Sequence, residues 1–180
     1  MSGPAAVIRL EFRTQRLAVG ALNPGIGEGI GSLADLDAIA AILAPAVLEH
    51  LPEPLQMPAG PNPIESWVAA RLTESALYSV FEVSTETVVG LMILAQTAEP
   101  GDTPTLRLGY LFAKSVWGRG YGTELVAGVL QVLEDAGWKG QILAGVSTGN
   151  PGSSRILLKT GFIEVPTGEA HSRTYRYTLT

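Results

Sequence analysis

Hydrophobic residues recur along this chain at two spacings, one typical of amphipathic helices and one typical of β-strands. Recurrence at every third or fourth position marks the side of a helix that faces a core, whereas alternation or a short apolar run marks a strand. The helical spacing predicts four helices, over residues 33–48, 64–73, 125–133 and 151–159. The strand patterns cover seven runs, at residues 9–19, 77–83, 87–96, 106–113, 142–146, 162–165 and 174–179.

Local signals set the limits of several of these elements. Asn150 followed by Pro151 is typical of a helix start, and Gly161 is typical of a helix end. Five prolines within residues 51–63 exclude a helix or a central strand there, and the glycines of residues 23–31 indicate a mobile loop. The resulting order, βααβββαβαββ, predicts a single mixed α+β domain over the whole chain of 180 residues.

The composition narrows the class of protein. Hydrophobic residues make up 46% of the chain and charged residues 16%, which excludes a disordered protein. The absence of cysteine excludes disulfides, zinc–thiolate sites, iron–sulfur clusters and a cysteine nucleophile, and no metal site is predicted. The net charge is −5 and the chain contains no block of basic residues, so no nucleic-acid partner is expected.

The chain shows no sign of a membrane span or an export signal. The longest apolar run, residues 88–95, is much shorter than the roughly 18 residues that a membrane helix needs. Residues 1–10 contain a proline and a charge and lack the apolar stretch of a signal peptide. We therefore expect a cytoplasmic protein with no membrane partner.

Candidate chemistry concentrates in residues 109–124, where a predicted strand leads through a glycine-rich turn into a predicted helix. Gly118, Gly120 and Gly122 allow the backbone to turn sharply and to direct several N–H groups at one point. The helix N-terminus adds partial positive charge, so the turn favours a phosphate or diphosphate, to which Arg119 adds a charged donor. The alternative is a tight strand-to-helix turn that binds no ligand.

Other phosphate-binding motifs fit this sequence less well. A P-loop ends in Gly-Lys-Ser/Thr, a triplet that this chain lacks. A Rossmann fingerprint places its third glycine three residues after the second, but Gly122 follows Gly120 by two. The glycines of residues 25–31 also fail this spacing, yet they precede a predicted helix, which leaves dinucleotide binding as an alternative.

Residues 109–124 resemble the acetyl-CoA motif of the GNAT superfamily of N-acetyltransferases, most closely its ribosomal-protein (RimJ/RimL-like) branch. The first matching block reads Gly109-Tyr-x-x-Ala, then Trp117-Gly-x-Gly-Tyr-Gly-Thr-Glu124. A second block, Asn150-x-x-Ser-x-Arg-x-Leu-x-Lys-x-Gly-Phe162, is similar to the penultimate helix of the family. The resemblance implies the GNAT fold, a mixed and mostly antiparallel sheet of about seven strands flanked by four helices.

The resemblance also implies acetyl-CoA as co-substrate. Backbone N–H groups of residues 117–123 would hold its diphosphate, and the strand at residues 111–113 would pair with the pantetheine arm and stabilise the oxyanion. Asn150 would cap its helix and lie near the pantetheine, and Ser153 is either the proton donor to the leaving thiolate or an ordinary first-turn serine. The residues so assigned to acetyl-CoA are Leu111, Phe112, Ala113, Trp117, Gly118, Arg119, Gly120, Tyr121, Gly122, Thr123, Asn150 and Ser153.

The implied reaction is direct attack of a neutral primary amine on acetyl-CoA in a ternary complex. The amine belongs to a protein N-terminus or to a small molecule. Arg107 stands where many relatives have an acidic residue, and Leu157 stands where many have a tyrosine acid. These departures leave the base without an assignment, and they leave a catalytically silent acyl-CoA-binding module as an alternative.

The acceptor side of the predicted site is less well defined. Glu49 and His50 lie between the first predicted helix and the proline-rich segment, a region that resembles the acceptor wall of the family. Together with Arg107 they are the candidate substrate residues. Glu82 is interpreted as facing away from the cleft, and Trp67 as a core residue. The sequence is compatible with a monomer or a homodimer.

Overall fold

The computed structural model describes residues 10–22, 36–97 and 102–180, so the predicted loop at residues 23–31 lies outside the described residues. The strands of its single mixed sheet are β1 (Phe12–Arg13), β2 (Leu17–Ala21), β3 (Ala76–Glu82), β4 (Thr87–Thr97), β5 (Thr105–Phe112), β6 (Gly140–Ser147), β7 (Ile163–Val165) and β8 (Ser172–Leu179). They lie in the order β1-β2-β3-β4-β5-β6-β8-β7, and among these described strands the β5–β6 pair alone is parallel. This arrangement confirms the predicted α+β class and mostly antiparallel sheet.

The helices are α1 (Leu36–Ile42), α2 (Pro45–Leu48), α3 (Pro63–Glu74), α4 (Tyr121–Asp135) and α5 (Pro151–Lys159), with single 3₁₀ turns at Glu53–Leu55 and Lys114–Val116. The predicted limits of α5 are confirmed. Asn150 accepts the N–H of Ser153 at 3.1 Å, and Gly161 adopts a φ of +95° after the last turn. Within the described residues, no helix has the length and apolar character needed to cross a membrane.

The first predicted helix and the first predicted strand are each divided in two. Pro45 lacks an N–H and its ring disrupts the preceding turn, so the described part of the first predicted helix, residues 36–48, contains α1 and α2 rather than one helix. The first predicted strand corresponds to β1 and the first residues of β2, which are joined by a turn in which the Thr14 N–H donates to the Leu17 carbonyl at 2.8 Å. The described chain therefore has eight strands and five helices, against seven and four predicted.

The sheet is buried on both of its faces. Alternate residues of a strand point to opposite faces, and both sets are buried in the central strands. Tyr78 and Met92 pack on the face covered by α4 and α5, whereas Leu77 and Leu91 pack on the face covered by α1, α2 and α3. Trp67 of α3 is 1% exposed, which confirms it as a core residue.

The strands β5 and β6 are paired over only part of their length. Thr105–Arg107 pair with Gln141–Leu143, and beyond these three pairs the two strands separate. On its other side β5 is paired with β4 as far as Phe112. The edge of β5 from Leu108 to Phe112 therefore has no strand partner in the described structure.

Candidate active site

A cleft of about 680 Å³ lies where β5 and β6 separate. Its walls are the end of β5, the glycine-rich turn before α4, the first turns of α5 and the segment that follows α2. The two sequence motifs, which are distant along the chain, therefore meet in one cavity. The residues lining it are Val47, His50, Leu51, Tyr110, Leu111, Phe112, Val116, Trp117, Gly118, Gly120, Tyr121, Gly122, Thr123, Gly149, Asn150, Pro151, Gly152, Ser153, Arg155 and Ile156.

One wall of the cleft is the unpaired edge of β5. The N–H of Ala113 donates to the carbonyl of Val89 at 2.9 Å, so this residue faces β4 instead of the cleft. N–H groups of alternate residues in a strand face the same edge, so the N–H of Leu111 also faces β4. Those of Tyr110 and Phe112 face the cleft. Of the three residues predicted to pair with pantetheine, only Phe112 presents its N–H there, and Tyr110 adds a second group.

The glycine-rich turn forms one end of the cleft. Gly118 and Gly120 have φ angles of +77° and +82°, a left-handed conformation that favours glycine, and α4 begins immediately after them. In the described part of the chain, no acceptor contacts the N–H groups of Gly118, Gly120, Tyr121, Gly122 and Thr123. These five residues all line the cleft. Free amides at a helix N-terminus favour an anion.

Two N–H groups of the predicted set are occupied by the protein. The N–H of Trp117 donates to the carbonyl of Lys114 at 3.2 Å, and that of Arg119 makes a longer bond, 3.4 Å, to the carbonyl of Val116. Both bonds continue the 3₁₀ turn that follows β5. The prediction that residues 117–123 all offer free amides is therefore wrong for these two, which stabilise the turn.

Gly122 allows α4 and α5 to approach closely. A Cβ at this position would lie 2.6 Å from Cδ1 of Ile156, well inside contact distance. The glycine therefore brings the N-termini of both helices to the same cleft. Gly122 therefore contributes both to the packing of the two helices and, through its free N–H, to the cleft.

The side chain of Arg119 pairs with Glu82 instead of lining the cleft. Its Nη1 lies 3.4 Å from Glu82 Oε1, and the hydroxyl of Tyr121 donates to the same carboxylate. This hydrogen bond is the main cause that lowers the pKa of Glu82 and raises the pKa of Tyr121. Glu82 lies on the face of β3 that carries Tyr78 and Val80, toward α4. Both faces of the sheet are covered by helices. The Glu82 side chain, which points away from the core on one face, therefore lies against the core on the other.

A second charged network behind the turn is absent from the sequence-based prediction. The carboxylate of Glu124 in α4 accepts hydrogen bonds from Thr14 and Arg16, in the turn between β1 and β2. Burial opposes the ionisation of Glu124, but these bonds outweigh it and lower its pKa. The partners are 110 and 108 residues apart, so no local motif marks the network.

The N-terminus of α5 forms the opposite wall. Asn150 and Ser153 line the cleft, and the Ser153 hydroxyl has no hydrogen-bond partner among the described residues. The hydroxyl of Tyr110 donates to the Ser153 carbonyl through a long bond of 3.5 Å, and burial raises the pKa of Tyr110 to about 12. Leu157, at the position of the family tyrosine, is fully buried.

Of the three candidate substrate residues, the structure brings one to the cleft. His50 lines the cavity, with its ring centroid 5.8 Å from that of Trp117. The Trp117 indole N–H donates to the Phe112 carbonyl at 2.8 Å, which fixes the ring although 44% of the residue is exposed. Glu49 lies beside His50, 3.5 Å from its Nε2, but points into solvent. Arg107 is exposed on β5 and does not line the cleft.

The split sheet, with a free strand edge and unpaired amides at the head of α4, is the architecture of an acyl-CoA-dependent acyltransferase. A family model, the acetyltransferase (GNAT) domain, matches residues 31–163. The chain therefore belongs to the GNAT acetyltransferase family, whose members use acetyl-CoA as acetyl donor. The mostly antiparallel sheet also excludes the parallel sheet that a Rossmann dinucleotide site needs. A comparison with curated proteins gives no significant match.

Solved structures share the fold at low sequence identity. An acetyltransferase of the GNAT family from Bacillus anthracis superimposes with a TM-score of 0.69 at 16% identity, covering 94% of this chain and 98% of that one. An acetyltransferase from Agrobacterium tumefaciens gives 0.64 at 16%, covering 99% and 100%. A proposed ribosomal-protein-serine acetyltransferase from Vibrio cholerae gives 0.67 at 16%, covering 94% and 98%.

Proposed function

We propose that this protein transfers the acetyl group of acetyl-CoA to a primary amine by direct attack in a ternary complex. The observation that carries the proposal is the set of five unpaired N–H groups, at Gly118 and residues 120–123, which line one cleft. A diphosphate offers acceptor oxygens to such donors, and the N-terminus of α4 favours its negative charge. These groups supply the binding site for the CoA diphosphate.

The pantetheine arm follows the free edge of β5. Its amides can hydrogen-bond to the main chain of Tyr110 and Phe112 as an added strand does. An N–H of the same edge then polarises the thioester carbonyl and stabilises the negative charge that develops on its oxygen. Asn150 and Ser153 face this arm from α5.

The chemical step forms a carbon–nitrogen bond and breaks a carbon–sulfur bond. The amine nitrogen attacks the carbonyl carbon, the carbon–sulfur bond breaks, the amine loses a proton and the thiolate gains one. Among the side chains that line the described cleft, His50 carries an imidazole nitrogen that can accept a proton, so we assign it, directly or through water, to the amine proton. Ser153 is the candidate donor to the thiolate.

Replacing Ser153 by alanine should lower kcat about tenfold or more, because the leaving thiolate loses a proton donor. The KM for acetyl-CoA should change by less than about twofold, since the diphosphate contacts are untouched. Ser154→Ala is the matched control, because Ser154 is half-buried on the same helix but does not line the cleft. Equal turnover by both variants in a thiol-release assay would remove Ser153 from the mechanism.

The acceptor is the amine of a protein N-terminus or of a small molecule, as in the RimJ/RimL-like branch that the motifs resemble. The Vibrio cholerae protein with the same fold carries a name from this class, which supports the peptide alternative. We propose a single cytoplasmic domain, active as a monomer or a homodimer and without nucleic-acid or membrane partners.

A steady-state thiol-release assay against a panel of amines tests the proposal, with CoA binding followed separately by calorimetry. The panel contains peptides with free N-termini, the same peptides with acetylated N-termini, and small primary amines. Turnover with a free amine and none with its blocked counterpart is the expected result. Binding of CoA without turnover on any amine would instead identify a silent acyl-CoA-binding module.

A further inference from the structure

We infer that Arg16 is a positioning residue for the anion-binding turn, and that it neutralises Glu124 at the head of α4. The inference rests on the proposed function, because the anion concerned is the diphosphate of acetyl-CoA. It is carried by the hydrogen bonds that join the turn between β1 and β2 to the glycine-rich turn and to α4. Arg16 does not line the cleft, so it acts through the groups that do.

The guanidinium of Arg16 lies against three consecutive residues of the turn. Its Nη1 donates to the carbonyl of Arg119 at 2.9 Å, and its Cζ lies 4.7 Å from the ring centroid of Tyr121. Its Nη2 would be 3.5 Å from a Cβ on Gly120. In a trans peptide the C=O and the following N–H point in opposite directions. Holding the Arg119 carbonyl toward Arg16 therefore directs the Gly120 N–H away from it, and Gly120 lines the cleft.

Both oxygens of the Glu124 carboxylate are contacted by the turn between β1 and β2. Its Oε2 lies 2.6 Å from both Nε and Nη2 of Arg16, so two guanidinium nitrogens contact the same carboxylate oxygen. Its Oε1 accepts the Arg16 backbone N–H at 2.8 Å and the Thr14 hydroxyl at 2.6 Å. The pKa of Glu124 is lowered by these bonds in spite of burial, so the group is ionised at neutral pH.

The pairing has an electrostatic consequence for an anion at the same helix end. A carboxylate in the first turn of α4 repels a diphosphate bound at the N-terminus of that helix. Arg16 cancels this charge. If the pair only held the turn in place, loss of either partner would weaken CoA binding. If Arg16 cancels the charge of Glu124, loss of Arg16 weakens CoA binding more than loss of Glu124 does.

Arg16→Gln is expected to raise the Kd for CoA about tenfold, because it leaves the Glu124 charge uncompensated and releases the Arg119 carbonyl. Glu124→Gln should stay within about threefold of the wild type, since it removes the repulsion along with the pair. The double variant should bind CoA about threefold more tightly than Arg16→Gln alone. The difference in Kd between Arg16→Gln and the wild type should shrink at high salt. Arg13→Gln, at the exposed position of β1, is the control.

Calorimetric titration with CoA and with pantetheine, which lacks the diphosphate, separates the explanations. Pantetheine affinity should be unchanged in all variants. With acetyl-CoA as substrate, KM should rise in Arg16→Gln while kcat at saturation stays within about twofold of the wild type. Equal weakening by both single variants without recovery in the double, or an equal loss for pantetheine, would overturn the inference. Failure of the wild type to bind CoA would overturn the proposed function itself.

Discussion

Replacing Gly118 by aspartate is expected to lower the affinity for CoA about a hundredfold, because a carboxylate would compete for the free amides and repel the diphosphate. Gly118→Asn should retain most of the affinity. Asparagine has the same shape without the charge, and both residues tolerate the left-handed backbone at φ +77° better than most others. The pair of variants therefore isolates the effect of charge.

Gly118 is the cleanest position in the turn for this comparison. A Cβ there meets no atom of the described residues within 4 Å, whereas one on Gly120 would lie 3.5 Å from Arg16 Nη2, which could neutralise an aspartate. A Cβ on Gly122 would collide with Ile156. Calorimetric titration with CoA, with thermal melting as the test of folding, measures the difference. Equal affinities in two folded variants would show that the turn does not hold the anion.

Replacing Gly90 by alanine is expected to lower the free energy of unfolding by about 1–3 kcal/mol, the usual range for overpacking. A Cβ at this position would lie 2.7 Å from the Leu111 carbonyl oxygen and 2.7 Å from Cδ1 of Phe112. Gly90 pairs with Phe112, so the displaced strand end is the one that presents its edge to the cleft. Affinity for CoA should therefore fall together with stability.

Gly109→Ala on the neighbouring strand is the matched control. A Cβ there would make an ordinary contact of 3.6 Å with Cβ of Ile93, and we expect a change within about 0.5 kcal/mol. Urea unfolding and CoA titration of both variants give the two quantities. If the Gly90 and Gly109 variants behave alike, the close contact at Gly90 does not constrain the end of β5.

The parts of the structure that local signals determine could be predicted from the sequence. The helix α5 has a capping asparagine, a proline in its first turn and a left-handed glycine after its last, and all three act over a few residues. The break between α1 and α2 also has a local signal, Pro45. The apolar spacing that continues across it predicted one helix instead of two.

The parts of the site that depend on distant contacts could not be predicted in this way. The pairing of Arg16 with Glu124 joins residues 108 positions apart, and nothing near either residue indicates its partner. The cleft-facing edge of β5 follows from the bond between the Ala113 N–H and the Val89 carbonyl. The motif alone does not tell which of two alternating sets of amides is free. Glu82 does not line the cleft, in agreement with its interpretation, but its partners Arg119 and Tyr121 lie 37 and 39 positions away and no local pattern indicates them.

Within the described sheet, three residue pairs connect the part formed by β1 to β5 with the part formed by β6, β8 and β7. A molecule that hydrogen-bonds along the free edge of β5 occupies the space where further pairing would otherwise be. In the proposed function this molecule is the acetyl donor, which would then also be a temporary component of the sheet. Its binding free energy adds to that of folding. We therefore expect the thermal stability of the protein to rise with the concentration of acetyl-CoA and to be lowest in the empty protein that follows product release.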